Sequence, residues 1–200
     1  MKQFTAKTFN IPKLKGISEK NIEEHLKLYS GYVKNANSLL EQVEVLKKDS
    51  EKNAYLLGEL MRRFSFEYNG MRNHEAYFSQ FDGGMKAIND SELKTAIESE
   101  WGSFESWLAG FKMLALTRGI GWAMLWYDRK DKRLLMSWVD EQHLGQLNDC
   151  AIILGLDMWE HSYVADYQPS GKKNYIEDFF ANLNWNAAEK CFDVATKNSK

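Results

Sequence analysis

Cysteine is scarce in this sequence: Cys150 and Cys191 are the only two among 200 residues. They lie far apart and form no C-x-x-C pair, so the sequence indicates neither a disulfide framework nor a thiolate metal site. We expect both to be small hydrophobic residues of the interior. This cysteine usage favours a reducing compartment.

Long apolar runs are absent as well. No stretch of about 18 apolar residues occurs, and the segment 1–7 has no apolar centre of the kind that a secretory signal requires. We therefore expect neither a membrane span nor secretion, and we expect the protein in the cytoplasm.

Charge of one sign is not in excess either. Lys and Arg number 26 against 28 Asp and Glu, which leaves a net charge of −2 without any block of like charge. Nucleic-acid binding usually demands a basic surface, so no such partner is expected. With 44% hydrophobic and 14% aromatic residues, the chain is instead typical of a globular protein with a sizeable core.

Apolar residues recur at steps of three and four in the first quarter of the chain, as on one face of an α-helix. The series follows Ser18, which is suited to be an N-cap, and consists of Ile22, Leu26, Tyr29, Val33, Leu40, Val43 and Leu46. A second helical stretch covers about 54–81, where Gly70 could cause a break and the Asp82-Gly83-Gly84 cluster ends it. The sequence thus predicts an antiparallel α-hairpin.

The rest of the chain changes from helix to strand and back. A helical stripe covers about 93–115, two β-prone runs at 122–127 and 133–139 form a hairpin, and a third strand follows at 151–156. Helices return at roughly 159–167 and 173–196. The predicted fold class is α+β, with an N-terminal α-hairpin domain at 1–86 and, at 87–200, an α/β domain that has a small three-stranded antiparallel sheet.

Histidine is also rare, with four in the chain. His161 follows Asp157 by four residues, directly after the apolar run 151–156. A carboxylate and an imidazole at this spacing are potential ligands of one metal ion. The sequence therefore indicates the outline of a metal site at the end of a strand.

The run LDMWEHSY at residues 156–163 resembles the signature of the iron/manganese superoxide dismutase family. Two further segments, 22–25 with His25 and 73–78 with His74, resemble the first and second helices of that family, each of which supplies one histidine ligand. The resemblance covers nearly the whole chain, because further landmarks follow in family order: Trp101-Gly102-Ser103-Phe104, Gly121-Trp122-Ala123 and Asn184-Trp185-Asn186.

This resemblance implies a superoxide dismutase with one manganese or iron ion per subunit, bound by His25, His74, Asp157 and His161. Three imidazoles and one carboxylate suit a metal that cycles between the divalent and trivalent states. Two superoxide ions would become dioxygen and hydrogen peroxide there, and no other cofactor is implied. The alternative is a non-catalytic relative that kept the fold as a metal-binding or interaction protein, although such a relative should have lost ligands.

The resemblance also implies catalytic residues beside the ligands. His143 would be hydrogen-bonded to the metal-bound solvent and tune the reduction potential. The family carries a gateway histidine four residues and a tyrosine eight residues after its first ligand. Here those positions hold Tyr29 and Val33, and Tyr32 would lie about 100° from the expected face of a regular helix. We therefore expect Tyr32 at the gateway if the helix is irregular near Gly31, and Tyr29 otherwise.

Further family features concern the subunit interface and the metal. Glu160 stands where a glutamate reaches the ligand histidine of the partner subunit, which implies a homodimer. Gly70 takes a position at which many iron-type members hold glutamine, and Gly155 resembles the manganese-type pattern, so manganese or dual use is favoured. An apolar wall around the ligands is expected from Trp122, Trp159, Tyr77 and Trp185.

Overall fold

Two long helices form the N-terminal half of the computed structural model, which describes residues 2–197. Helix α1 spans Glu19–Leu46 and begins where the Ser18 hydroxyl accepts a hydrogen bond from the Asn21 amide, 3.1 Å away. Helix α2 spans Ala54–Ser79 and packs along α1. The predicted N-terminal α-hairpin is confirmed.

Helix α2 continues through Gly70 without interruption, so the break that glycine could have caused does not occur. A Cβ at Gly70 would lie 2.5 Å from Cδ1 of Tyr32, which belongs to α1. Real carbon atoms do not approach so closely without displacement of a neighbour. Gly70 is therefore needed because the Tyr32 ring fills the space that its side chain would occupy.

The sheet has three antiparallel strands, as predicted. They are β1 at Gly121–Asp128, β2 at Arg133–Asp140 and β3 at Cys150–Asp157, in the order β2-β1-β3. The central strand β1 is buried along nearly its whole length, and α2 and α7 (Trp185–Lys197) pack against β3. The register pairs Trp122 of β1 with Asp157, which brings an indole beside the end of β3.

The remaining helices are shorter than the apolar periodicity predicts. They are α3 at Glu92–Trp101, α4 at Phe104–Ala115, α5 at Val164–Tyr167 and α6 at Lys172–Asn182, besides α7. The stripe predicted at 93–115 is divided because Gly102 has a φ of 83° and the Ser103 hydroxyl caps a new helix. The stretch 173–196 is likewise divided, at extended Leu183. Periodicity did not reveal these turns because the apolar faces on both sides point into one core.

Residues 2–17, which we call the N-terminal strap, contain no helix or strand and lie along the hairpin. Phe4 and Asn37 exchange two hydrogen bonds of 2.8 and 2.9 Å, and the Lys7 amide donates to the Tyr29 hydroxyl at 2.9 Å. The Lys15 amide donates to Asn182 of α6. The strap thereby contacts both halves of the chain, and the boundary between residues 86 and 87 stays a prediction.

None of the described helices is long and apolar enough to span a membrane.

Candidate metal centre

Four potential ligand side chains meet between the hairpin and the sheet. One atom from each lies within 4.8 Å of the others, and the residues are His25, His74, Asp157 and His161. Ligand atoms that each lie about 2.1 Å from one ion are separated by similar distances. The first three side chains have no exposed surface, whereas that of His161 is 25% exposed. The structure thus brings together the four residues that the resemblance implied.

The carboxylate of Asp157 is the centre of this cluster. Its Oδ2 lies 3.1 Å from Nε2 of His25 and 3.1 Å from Nε2 of His161. Its Oδ1 accepts a hydrogen bond from the Trp159 amide at 2.8 Å, and its backbone carbonyl accepts from the Tyr175 hydroxyl at 2.9 Å. Because both ends of the residue are held, Oδ2 is fixed toward the imidazoles.

The hydrogen bonds of His74 test whether a cation fits among these atoms. Its Nδ1 lies 2.6 Å from the carbonyl oxygen of Gly70, which can only accept, so the ring hydrogen is on Nδ1. Nε2 then directs a lone pair at Oδ2 of Asp157, 3.5 Å away, and it has no hydrogen-bond partner among the described residues. Two electron-rich atoms that face each other in a buried site are stabilised by a cation between them. The donor set therefore fits an iron or manganese ion.

The protonation states of these groups agree with metal binding. Burial lowers the pKa of His74 to about 3, and the neighbouring His25 adds to the effect. Burial also lowers the pKa of His25, against the opposing effect of Asp157. Burial alone would raise the pKa of the Asp157 carboxyl, but the His161 and His25 imidazoles outweigh it and hold that pKa below its ordinary value. Burial thus favours neutral imidazoles at His25 and His74, and the carboxylate of Asp157 is ionised, as metal ligands must be.

Aromatic rings surround the cluster. The ring centroids of Trp122, Tyr77 and Trp159 lie 5.0–5.8 Å from the nearest imidazole of the cluster. Phe78 also belongs to this wall, since its ring lies 4.9 Å from His25. No pattern in the sequence distinguishes it from other core aromatics. The expectation that Trp185 belongs to this wall was wrong, because its ring partners among the described residues are Phe104 and Trp107.

Gln142 lies beside the cluster, in the connection between β2 and β3, and is fully buried. Its Oε1 accepts a hydrogen bond from the Trp122 indole and its Nε2 donates to the Tyr32 hydroxyl, both at 3.0 Å. An indole N–H can only donate, so the amide group is fixed with its NH₂ toward Tyr32. No sequence pattern points to Gln142, which immediately precedes the candidate His143.

His143 itself is half-buried and lies against Phe66, with ring centroids 5.6 Å apart. Its Nδ1 is buried without a hydrogen-bond partner among the described residues. Among the described residues, the side chain that is hydrogen-bonded to Trp122 and Tyr32 is that of Gln142 and not that of His143. The role of His143 beside metal-bound solvent therefore stays a prediction, and Gln142 is a second candidate for that role.

Tyr32 and Tyr29 have different surroundings. The Tyr32 ring lies 5.0 Å from the His74 ring, and its hydroxyl is bonded to Gln142. The Tyr29 hydroxyl accepts from the Lys7 amide and donates to Glu75 at 3.3 Å, so it belongs to a separate hydrogen-bond network. The structure therefore places Tyr32, and not Tyr29, beside the cluster.

Helix α1 is continuous between these residues, so the irregularity expected near Gly31 is not present. Seven residues turn a regular helix by about 700°, only about 20° short of two full turns, so Tyr32 lies on the same face as His25. A spacing of eight would have required a bulge to bring the two side chains together. The condition attached to Tyr32 was therefore wrong, whereas its gateway role stays a prediction.

Comparison with known proteins gives a consistent assignment. A family model described as the C-terminal domain of iron/manganese superoxide dismutases matches residues 89–191. A protein of Cupriavidus metallidurans named as an iron superoxide dismutase is 36% identical over 189 residues, which are 92% of this chain and 93% of that protein. A protein of Mycobacterium lepraemurium named as a manganese superoxide dismutase is 31% identical over 179 residues, 88% of this chain and 84% of its own. The chain therefore belongs to the iron/manganese superoxide dismutase family.

Proposed function

We propose that His25, His74, Asp157 and His161 hold the one iron or manganese ion of this superoxide dismutase. The observation that carries the assignment is the Nε2 atom of His74, which faces Oδ2 of Asp157 with a lone pair in a buried site. When bound, such an ion supplies reversible one-electron chemistry, by which two superoxide ions and two protons become dioxygen and hydrogen peroxide.

The surrounding side chains prepare the site for a small anion. Trp122, Tyr77 and Trp159 help to bury the ligands, three of which have no exposed surface, and this burial strengthens electrostatic interactions inside. Hydrogen peroxide formation consumes protons, so a hydrogen-bond donor beside the ligands is required. Tyr32 is in the right place to be that donor, because its ring contacts His74.

Gln142 makes the Tyr32 hydroxyl available as a donor. Since Nε2 of Gln142 donates to the Tyr32 oxygen, the hydroxyl hydrogen of Tyr32 is free to bond elsewhere. Burial, followed by the charges of Asp157 and Glu67, raises the pKa of Tyr32 above its ordinary value, which keeps the phenol protonated. We propose that Gln142 and Tyr32 together perform the role that the family resemblance implied for His143.

The choice of metal is open to a direct experiment. The glycines at positions 70 and 155 favour manganese or dual use, whereas relatives named for iron and for manganese both match. We expect protein loaded with manganese alone to dismutate superoxide at least as fast as protein loaded with iron alone. The measurement is metal content together with the rate of superoxide loss for each form. Activity confined to the iron form would contradict the preference for manganese, and inactivity of both would support the non-catalytic alternative.

A homodimer would place Glu160 in contact with a second site. Glu160 is exposed in the single chain and adjoins His161, which is the most exposed of the proposed ligands. In a two-fold dimer its carboxylate can accept a hydrogen bond from His161 of the partner subunit and fix the tautomer of that ring.

We expect light scattering at micromolar concentration to give twice the mass of one chain. Replacement of Glu160 by Ala should weaken the dimer and reduce metal retention, because the histidine ring loses its hydrogen-bond acceptor. Glu51, an exposed acidic residue at the tip of the hairpin, serves as the matched control for loss of charge. A parent protein that is monomeric under these conditions would contradict the proposal.

The cytoplasm remains our proposed location. Both cysteines are free thiols, and each is only partly buried. A reducing compartment keeps such thiols unpaired. The expectation that both are small hydrophobic residues of the interior was wrong, because Cys150 begins an outer strand and Cys191 is only partly buried on α7.

A further inference from the structure

Glu75 is a buried carboxylate directly after the proposed ligand His74, with 6% of its surface exposed. Lys7 Nζ lies 3.0 Å from it, Arg72 Nη1 lies 2.9 Å from it, and the Tyr29 hydroxyl donates to it at 3.3 Å. The cationic partners Lys7 and Arg72 are 59% and 40% exposed, and ion pairs with such exposed partners usually contribute little stability. The position of Glu75, rather than its contribution to stability, indicates what it does.

The Tyr29–Glu75 contact joins the two ligand helices at the level of the ligands. Tyr29 lies one helical turn after His25 on α1, and Glu75 is next to His74 on α2. The N-terminal strap closes the contact from outside, because Lys7 donates its backbone amide to Tyr29 and pairs its ammonium with Glu75. A shift of one helix along the other would break these bonds together.

The two ligand histidines depend on this arrangement to different degrees. The His74 ring is oriented by the hydrogen bond from its Nδ1 to Gly70. The Nδ1 of His25 is buried and has no hydrogen-bond partner among the described residues. The orientation of His25 therefore depends on the contact of its Nε2 with Asp157 and on ring packing. The packing rings include Phe78 at 4.9 Å, which is in turn covered by Phe9 of the strap at 5.6 Å.

We propose that the Tyr29–Glu75 contact, closed by Lys7 of the strap, positions the His25 ring for metal binding. Tyr29 and Glu75 are then positioning residues, which act through the spacing of α1 and α2. The inference rests on the ligand set proposed above. If the proposal holds, metal retention and the geometry of the bound metal depend on the Tyr29–Glu75 hydrogen bond and the Lys7 contacts, none of which involves a metal-ligating atom.

The test uses Tyr29→Phe, Glu75→Gln and the double variant, each loaded with iron. We expect iron to transfer to a chelator about tenfold faster than from the parent, at the lower end of the effects of residues that orient ligands. The visible absorption and electron paramagnetic resonance spectra of the ferric forms should change as well, since the His25 ring moves. Because the two residues share one contact, the double variant should release iron no faster than the more affected single variant.

Glu59→Gln is the matched control, because Glu59 pairs with Arg62 on the exposed face of the same helix. It should leave spectra and iron release unchanged. If Tyr29→Phe and Glu75→Gln lower the melting temperature of the metal-free protein but keep the parent spectra and release rate, the contact is merely structural and the proposal is overturned. Lys7→Met disturbs only the outer side of the network, so it tests for faster iron release and changed spectra in a protein that should stay folded. Failure of the parent to bind iron would instead reject the ligand set.

Discussion

Replacement of His161 by Ala should produce a folded protein that no longer retains metal. His161 supplies one of the four converging atoms, and loss of a ligand should reduce metal retention by more than the 10–100-fold that is typical for residues behind the ligands. The fold should persist because the side chain is partly exposed and lies in a short turn rather than in the core. The measurement is metal content per subunit, together with superoxide dismutation.

Thermal unfolding provides a second readout of the same change. A ligand at a hundredfold excess over its Kd stabilises a protein by about 2.7 kcal/mol, which for about 200 residues is roughly 5–10 °C in melting temperature. We expect added manganese or iron to raise the melting temperature of the parent by this order and that of His161→Ala hardly at all. His143→Ala is the control, because it removes a nearby imidazole outside the cluster and should retain metal. Equal metal content in His161→Ala and the parent would reject the ligand set.

Much of this site could be predicted because three of its four proposed ligands lie on long helices or a strand. Asp157 ends a strand that its apolar run identifies, and His25 and His74 lie on long helices with clear periodicity. The four-residue step from Asp157 to His161 was visible directly. Grouping these segments into one site, however, required the resemblance, since periodicity cannot tell which ends of elements meet.

The choice between Gln142 and His143 was harder to predict, because both lie in the irregular connection between β2 and β3. Glu141 has a φ of 50°, and the chain reverses there so that Gln142 points inward while His143 lies against Phe66. No periodicity predicts which of two neighbouring residues faces the interior in such a turn. A histidine attracts notice as a functional residue, and the buried amide beside it did not.

The tyrosines illustrate a different limit. The family spacing of eight residues predicts a helix face from which the seven-residue step to Tyr32 differs by about 100°. Geometry shows that seven residues need no compensation. The need for glycine at position 70 cannot be predicted from the pattern of α2, because the ring that fills its space comes from another helix.

Replacement of Gln142 by Ala should lower activity strongly while the metal is retained. Gln142→Ala leaves the buried indole of Trp122 without its acceptor and removes the donor to the Tyr32 oxygen. We expect activity to fall about 10–100-fold with metal content retained, and the reduction potential to change. His143→Ala should have a smaller effect on both. The opposite order would assign the role to His143, as the sequence resemblance suggested.

Gln142→Glu separates the direction of the hydrogen bond from the shape of the side chain. An ionised carboxylate still accepts from the Trp122 indole, but it can only accept from Tyr32, so the phenol hydrogen turns toward Glu and away from the ligands. This variant should keep its metal and its fold and yet lose activity about as severely as Gln142→Ala. Adding Tyr32→Phe to either variant should then cost little more, because the donor is already diverted or unsupported. If the losses from Gln142→Glu and Tyr32→Phe simply add, the two residues act independently and the proposed link between them is wrong.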